Sequence, residues 1–498
     1  MSSRSTGALT VLCAIALSGA ACVPQEPSAP PDGSGPPITP ADPVRPTNVL
    51  LIVVDDLNTS AVSAYGNPAV DTPRIDALAA QGVRFTHAYS QYPVCGPSRA
   101  SMLTGYYPHG SGAFGYVSGR EYIGYDRQMW PELFADEGWY TARVSKVFHM
   151  GVPDDILLGA SGADDPTSWV QRFNSQGAEW QTPGEGELVQ GNPTGTAPIA
   201  NGNVMTIVKA DGPDAIHPDA RTTATAIELM FLHRNEPFFL AVGYVRPHVP
   251  FVAPRSHFDA YPHESIALPP VVPGDWNDIP AAGINYVTSA GAQMSPEQEQ
   301  KAIAGYYASV SFVDEQVGRL LDAVDVLGLA DDTLVIFTSD HGFHLGEHGF
   351  WMKKGLHEES VRVPLVVRGP GIAPGESDSM VELVDLYPTT AEVMGLRVPD
   401  HLQGRSFLRT LRDPDEPHRA DAFAVTDDGT SYLLRDPEWA YMQYREDGSG
   451  GVELYDMVND PGQFTNLAGL AEHAEIEANL RDRLLLRLQE ATESDLNE

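Results

Sequence analysis

Residues 48–54 read Asn-Val-Leu-Leu-Ile-Val-Val, an apolar run without polar alternation and rich in β-branched side chains. A strand with one wet face would alternate, so this run calls for burial on both faces. Parallel sheets covered by helices provide that environment. Shorter runs of the same kind recur at 83–85, 140–144, 238–244, 333–338 and 364–367. Helical stretches lie between them. Thr72 is placed to cap a helix with Pro73 in its first turn, Ile75, Leu78 and Ala79 as its stripe, and Gly82 as its stop. Residues 222–233 and 298–327 carry helical periodicity as well. Buried strands alternating with helices predict an α/β fold, a large and mostly parallel sheet flanked by helices.

Two stretches depart from that pattern. Residues 151–235 are rich in Gly, Asp, Pro and Asn, and read either as an insertion on the active-site side or as solvent-facing loops. Beyond Arg405, short strands at 424–426, 432–434 and 440–444 precede an amphipathic helix at about 472–490, a smaller C-terminal α+β subdomain. The expected organisation is therefore a catalytic domain over 47–405, including the 151–235 insertion, and a subdomain over 406–498.

The first 22 residues read as an export signal. Arg4 gives a positive start and residues 8–17 an apolar core too short to span a bilayer. Leu17-Ser18-Gly19-Ala20-Ala21-Cys22 resembles a bacterial lipoprotein cleavage site with Cys22 as the lipidated residue; ordinary cleavage near Ala21 is the alternative. Residues 23–46 form a proline-rich tether that would stay extended. The expected location is the bacterial periplasm, outer membrane or cell surface, with membrane contact only through Cys22. A net charge of −36 excludes general nucleic-acid binding, which needs basic surface. It also means that an anionic substrate must be held by local cations.

Chemistry concentrates at a few positions. Cys95 is the only cysteine outside the first 22 residues, so it cannot form a disulfide within an exported domain. Pro97 suits a first helical turn, which puts Cys95 at a helix N-terminus where an anion is favoured. Asp55-Asp56 end the first buried strand, and Asp340-His341-Gly342 ends the run 333–339. Ligands bind at the carboxyl ends of strands in open α/β sheets, and carboxylate-rich sets favour Ca²⁺ or Mg²⁺.

The motif Cys95-Gly96-Pro97-Ser98-Arg99 resembles the signature of the type I sulfatases of the alkaline-phosphatase superfamily. Further stretches carry the resemblance from Thr47 to about Leu467: residues 48–57, Ser145-Lys146-Val147-Phe148-His149, residues 241–251 around Arg246-Pro247-His248, and Ser339-Asp340-His341-Gly342 running into Leu345-Gly346-Glu347-His348-Gly349. Glu453-Leu454-Tyr455-Asp456 and Asn459-Asp460-Pro461 extend it, and the nearest likeness is to the iduronate-2-sulfatases. The resemblance implies that Cys95 is oxidised to formylglycine (3-oxoalanine) by a maturation enzyme. Asp55, Asp56, Asp340, His341 and residue 95 would bind a divalent metal. Calcium comes first; imidazole is a poor calcium ligand, so Mg²⁺ or another divalent ion stays open.

The same resemblance implies that Arg99 orients residue 95, that Lys146, His248 and Lys353 grip the sulfate, and that Arg246 is a further contact for an anionic sugar. The hydrated aldehyde would attack sulfur, His248 or Lys353 would protonate the departing alcohol, and His149 would help to release sulfate. His344, Glu347 and His348 could approach substrate or cap their loop, and His87, His109 and His257 default to structural roles. The implied activity is sulfate-ester hydrolysis on a sulfated, uronic-acid-containing carbohydrate. The alternatives are a phosphonate or phosphate ester hydrolase on the same scaffold, or a catalytically silent glycan-binding lipoprotein.

Overall fold

Every residue of the first strand, Asn48–Asp55, is buried. Its side chains divide between the two faces as the sequence requires. Leu50, Ile52 and Val54 enter one core, and Val49, Leu51 and Val53 enter the other. Burial of each such side chain contributes roughly 1.5–3 kcal/mol, which makes this strand the axis of the domain. The structure is a computed structural model that describes residues 45–190 and 204–496. The expected export signal, Cys22 and nearly all of the tether lie outside the described residues.

Eight strands form the main sheet, in the order Gly375–Glu382, Val83–Tyr89, Arg362–Arg368, Thr333–Ser339, Asn48–Asp55, Phe238–Pro247, Tyr140–Ser145 and Gln171–Phe173. The five strands from Thr333–Ser339 to Gln171–Phe173 run parallel. Arg362–Arg368 is antiparallel to both neighbours, an orientation that a short apolar run does not encode. Its Pro364 sits where the register against Val83–Tyr89 shifts. A bulge is where a strand tolerates a residue without an N–H. The polar edge strand Gly375–Glu382 shows no apolar run and was not expected.

Helices cover both faces. Pro296–Val326 lies against one core, opened by Ser295, whose hydroxyl accepts from Gln298 N while the Gln298 side chain accepts from Ser295 N. Cys95–Thr104 is wholly buried against the other face. The helix Pro73–Ala79 corrects one expectation. Thr72 makes no side-chain cap; its hydroxyl accepts from Ser63 N instead. The helix amides of Arg74 and Ile75 donate to Asp314, a carboxylate from the long helix. The cap comes from tertiary structure.

The described parts of 151–235, residues 151–190 and 204–235, are more ordered than their composition suggests. Gln171–Phe173 extends the main sheet. Gly184–Leu188 and Thr206–Ala210 join Phe251–Pro254 in a three-stranded sheet, and the helix Pro218–His233 buries Ala226, Leu229 and Met230. A smaller antiparallel sheet follows, made of Ala422–Thr426, Ser431–Arg435, Trp439–Tyr444 and Gly451–Asp456. The helix Ala474–Thr492 packs on it through Leu480, Leu484 and Leu488. Buried charges tie this part to the main sheet: Arg419 pairs with Asp385 and Glu382, and Arg487 with Glu382 and Asp421.

Candidate active site

Four adjacent strands end at one point, and each delivers charged or titratable side chains there. Asn48–Asp55 delivers Asp55 and Asp56. Thr333–Ser339 delivers Asp340 and His341, with Asp340 N donating to Val54 O. Tyr140–Ser145 leads into Lys146, and Phe238–Pro247 into His248. Asp56 and Ser145 both have positive φ, 63° and 62°. This sparsely populated conformation lets the chain turn its side chains inward as the strand ends.

Cys95 occupies the first position of its helix and is buried. Its Sγ lies 3.2 Å from Lys353 Nζ, 3.3 Å from His341 Nε2 and 3.8 Å from Asp56 Oδ1. Lys353 Nζ also bonds Asp56 Oδ1 at 2.7 Å, and Lys146 Nζ bonds Asp55 Oδ2. Arg99 donates from Nε to Asp340 Oδ2 at 2.8 Å and from its second terminal nitrogen to Asp55 Oδ1 at 3.1 Å. Its remaining nitrogen donates to the carbonyls of Lys146 and Val147. Arg99 thus binds the two acidic strand ends to the Lys146 turn.

The charges shift one another. Burial pushes the Asp55 carboxyl up, but Lys146, His248 and Arg99 overcome it and hold it well below the usual range. Burial lifts Asp56 to about 7 against the pull of Lys353. Burial also pushes up the Cys95 thiol, with Asp55, yet Lys353 and Lys146 bring it below its ordinary value. Burial opposes the proton on His341, but Asp340, Cys95 and Asp56 raise it to about 9. Burial and Lys146 lower His149 to about 3, which leaves a neutral imidazole. Its ring stacks on Tyr116 at 4.2 Å between centroids.

The arrangement fits a divalent cation. Donor atoms of Asp55, Asp56, Cys95 and His248 lie within 4.8 Å of one another, as do those of Cys95, Asp340 and His341. Asp56 Oδ2 is buried and accepts no hydrogen bond, an orphaned oxygen of the kind a metal ion satisfies. The three carboxylates are matched by Arg99, Lys146 and Lys353, so a bound cation would leave the pocket positive and suited to an anion. His248 stands beside the carboxylates, with Nε2 at 3.7 Å from Asp56 Oδ2. Its Nδ1 faces Val249 O at 2.6 Å. A carbonyl can only accept, so Nδ1 carries the hydrogen and Nε2 turns toward the site.

Arg246 is placed differently from the other expected residues. It is buried, and its guanidinium is occupied by the carbonyls of His248 and Pro250 and by the carboxylate of Glu179. It braces the loop that carries His248.

The sulfatase family model matches residues 47–396, and a C-terminal model described as N-sulphoglucosamine sulphohydrolase matches residues 346–490. A sulfatase of Formosa agariphila is 33% identical over 437 residues, which cover 84% of this chain and 83% of that one. The chain belongs to the sulfatase family. Human iduronate 2-sulfatase is 34% identical over 403 residues, covering 72% of this chain and 71% of its own. Among solved structures, a phosphonate monoester hydrolase of Agrobacterium radiobacter superimposes with a TM-score of 0.74 at 23% identity, covering 90% of this chain and 96% of that one. A protein solved with its substrate D-glucosamine-2-N,6-O-disulfate gives 0.69 at 22%, covering 91% and 99%. At these identities the structures establish the fold alone. The family establishes a sulfuric ester hydrolase.

Several residues of this sulfatase's site carry no sequence signal. Tyr116 sits in a glycine-containing run, and only the fold lays it on His149. Glu179 lies in the irregular 151–235 stretch and becomes the buried partner of Arg246. Ser98 Oγ bonds Asp340 O, and Tyr306 OH donates to Asp56 O at 2.5 Å, tying the long helix to the turn that carries Asp56. His348 and Glu347 serve their loop, through Asp275 and Leu345 N respectively. His344 is fully buried beside His357, with ring centroids 6.2 Å apart. His87, His109 and His257 bond Thr86, Gly429 and Glu315.

Proposed function

We propose that this sulfatase hydrolyses a sulfate ester on a sulfated, uronic-acid-containing carbohydrate, with residue 95 acting after its oxidation to formylglycine. The single observation that supports this most strongly is the ring of charge around Cys95 Sγ, with Lys353, His341 and Asp56 all within 3.8 Å. Asp55, Asp56, Asp340 and His341 would hold the divalent cation, with calcium the first choice for so carboxylate-rich a set. When bound, that ion would supply positive charge for the sulfate oxygens and acidify a hydroxyl at residue 95. A hydrated aldehyde at that position supplies a second hydroxyl, whose loss of a proton allows a sulfated intermediate to break down.

The chain's own groups account for the rest. Lys146 and Lys353 present ammonium hydrogens to the sulfate and to the charge that gathers on it. Lys353 carries a proton that it can offer to the departing oxygen; with its hydrogen on Nδ1 against Val249 O, His248 presents Nε2 without one. His149 is neutral and its Nδ1 makes no hydrogen bond, which leaves it able to accept a proton. Arg99 holds the Lys146 turn against the two acidic strand ends.

Among the described residues no helix is long and apolar enough to cross a membrane. Export to the periplasm or cell surface, with Cys22 as a lipid anchor, and conversion of Cys95 by a dedicated enzyme complete the reading. Mass spectrometry of the Cys95 peptide from the native host tests it, with matched sulfate and phosphate esters as substrates. A peptide that has lost H₂S and gained one oxygen, with faster turnover of the sulfate, is the expected result. An unmodified thiol in active protein, or preference for the phosphate ester, would sink the proposal.

A further inference from the structure

Two consecutive lysines are turned in opposite directions at the rim of the site. Lys353 is buried against Cys95, whereas Lys354 is exposed. The reversal depends on a left-handed backbone at Lys354, φ 81°, a strained state for a residue with a side chain. Two contacts hold it. Lys354 N donates to Pro93 O at 3.2 Å, in the segment leading to Cys95. Its carbonyl accepts from Thr426 Oγ1 at 3.0 Å, at the end of a C-terminal strand.

Among the described residues the Lys354 ammonium has no carboxylate partner, in a chain of net charge −36. It lies instead 5.2 Å above the ring of Tyr286, which leaves its charge open to a ligand. Tyr286 is 46% exposed and Tyr116 58%. Tyr286 OH donates to Met352 Sδ at 3.4 Å, one residue before Lys353, and the Tyr116 ring stacks on His149, so both rings stand beside residues of the site. Tyr116 also lies against the helix turn of residue 95, since a Cβ on Gly96 would stand 2.8 Å from its Cδ1. The mouth therefore has two amphipathic aromatic walls and a fixed, unpaired cation beside them.

We propose that Lys354 reads a second negative charge on the sulfated sugar, with Tyr286 and Tyr116 holding the ring between that cation and residue 95. The substrate class is a sugar bearing an anionic group besides the sulfate to be cleaved, either a carboxylate or another sulfate. This rests on the sulfate-ester reading above and assigns its specificity to a residue that the hydrolysis itself does not require.

The test compares kcat/KM of the mature enzyme and its Lys354→Met and Lys354→Arg variants on two substrate pairs. One pair is a 2-sulfated uronide and its carboxamide analogue, and the other a disulfated hexosamine and its monosulfated counterpart. Wild type should prefer the doubly charged member of at least one pair by about tenfold or more, as expected of a hydrogen bond to a charged group. Lys354→Met should lose that preference, Lys354→Arg should keep it, and added salt should weaken it. The pair that responds identifies the group. An unchanged preference in Lys354→Met overturns the proposal and leaves the sulfatase reading standing. Wild-type enzyme that cleaves none of the sulfated sugars overturns both.

Discussion

Gly243 offers a direct test of how the fold seats Lys146. The turn after Tyr140–Ser145 crosses Gly243, where a Cβ would overlap the Lys146 carbonyl and come within 2.7 Å of Val147 N. Ordinary contact begins at about 3.4 Å, so Val147 N alone would have to retreat by roughly 0.7 Å, the difference between 3.4 and 2.7. Both sides of the clash are backbone, and the turn is held from behind by Arg99. The strain cannot be absorbed by a rotamer change. Gly243→Ala should therefore cost about 3 kcal/mol, the upper end for overpacking. Displacing Lys146 by a large fraction of an ångström should lower kcat/KM about 100-fold. Gly186→Ala is the control, because its Cβ would meet nothing nearer than Ile207 O at 4.0 Å. Circular dichroism, thermal unfolding and sulfatase assays of the two variants decide the matter. Gly243→Ala with unfolding and kcat/KM within twofold of wild type would refute the reasoning.

Four further outcomes are expected. Asp385 accepts from Arg419, His418 and two backbone amides; burial pushes its carboxyl up, but Arg419 and His418 hold it well below the ordinary value. A depressed carboxyl contributes stability above the unfolded pKa near 4, and that stability is lost as pH falls through the folded value. Asp385→Asn should cost about 3–5 kcal/mol at neutral pH and flatten the acid limb of a stability–pH profile; an unchanged limb would show that Asp385 does not set it. Glu179→Gln leaves the Arg246 guanidinium buried without its counter-charge, and should cost about 3 kcal/mol and at least tenfold in turnover through the His248 loop. Wild-type turnover in that variant would remove Arg246 from any positioning role. Cys95→Ala should fold normally and lose turnover entirely. Chelation of the wild-type enzyme should lower both activity and thermal midpoint, with both restored by Ca²⁺, and indifference of both to chelator would count against a divalent ion in the site.

The legibility of the chain follows from which interactions are local. The run 48–54 announces a doubly buried strand because every side chain must leave water. Asp55-Asp56 and Asp340-His341 are legible as a site because they end two such strands. The antiparallel sense of Arg362–Arg368 and the polar edge strand Gly375–Glu382 are not legible, since pairing partners and direction belong to the sheet. Thr72 shows the same limit in miniature. Its position predicts a cap, but Asp314 from a distant helix supplies the carboxylate.

The sequence by itself determined the α/β class, the family motifs and the positions of Cys95 and the acidic strand ends. These depend on side-chain periodicity and on the order of residues within single elements. Only the tertiary structure decided which side chains face one another. It buried the Arg246 guanidinium against Glu179, laid Tyr116 on His149, and turned Lys353 inward and Lys354 outward. Such choices depend on contacts between residues tens to hundreds of positions apart, and their energies exist only once the chain has folded around them.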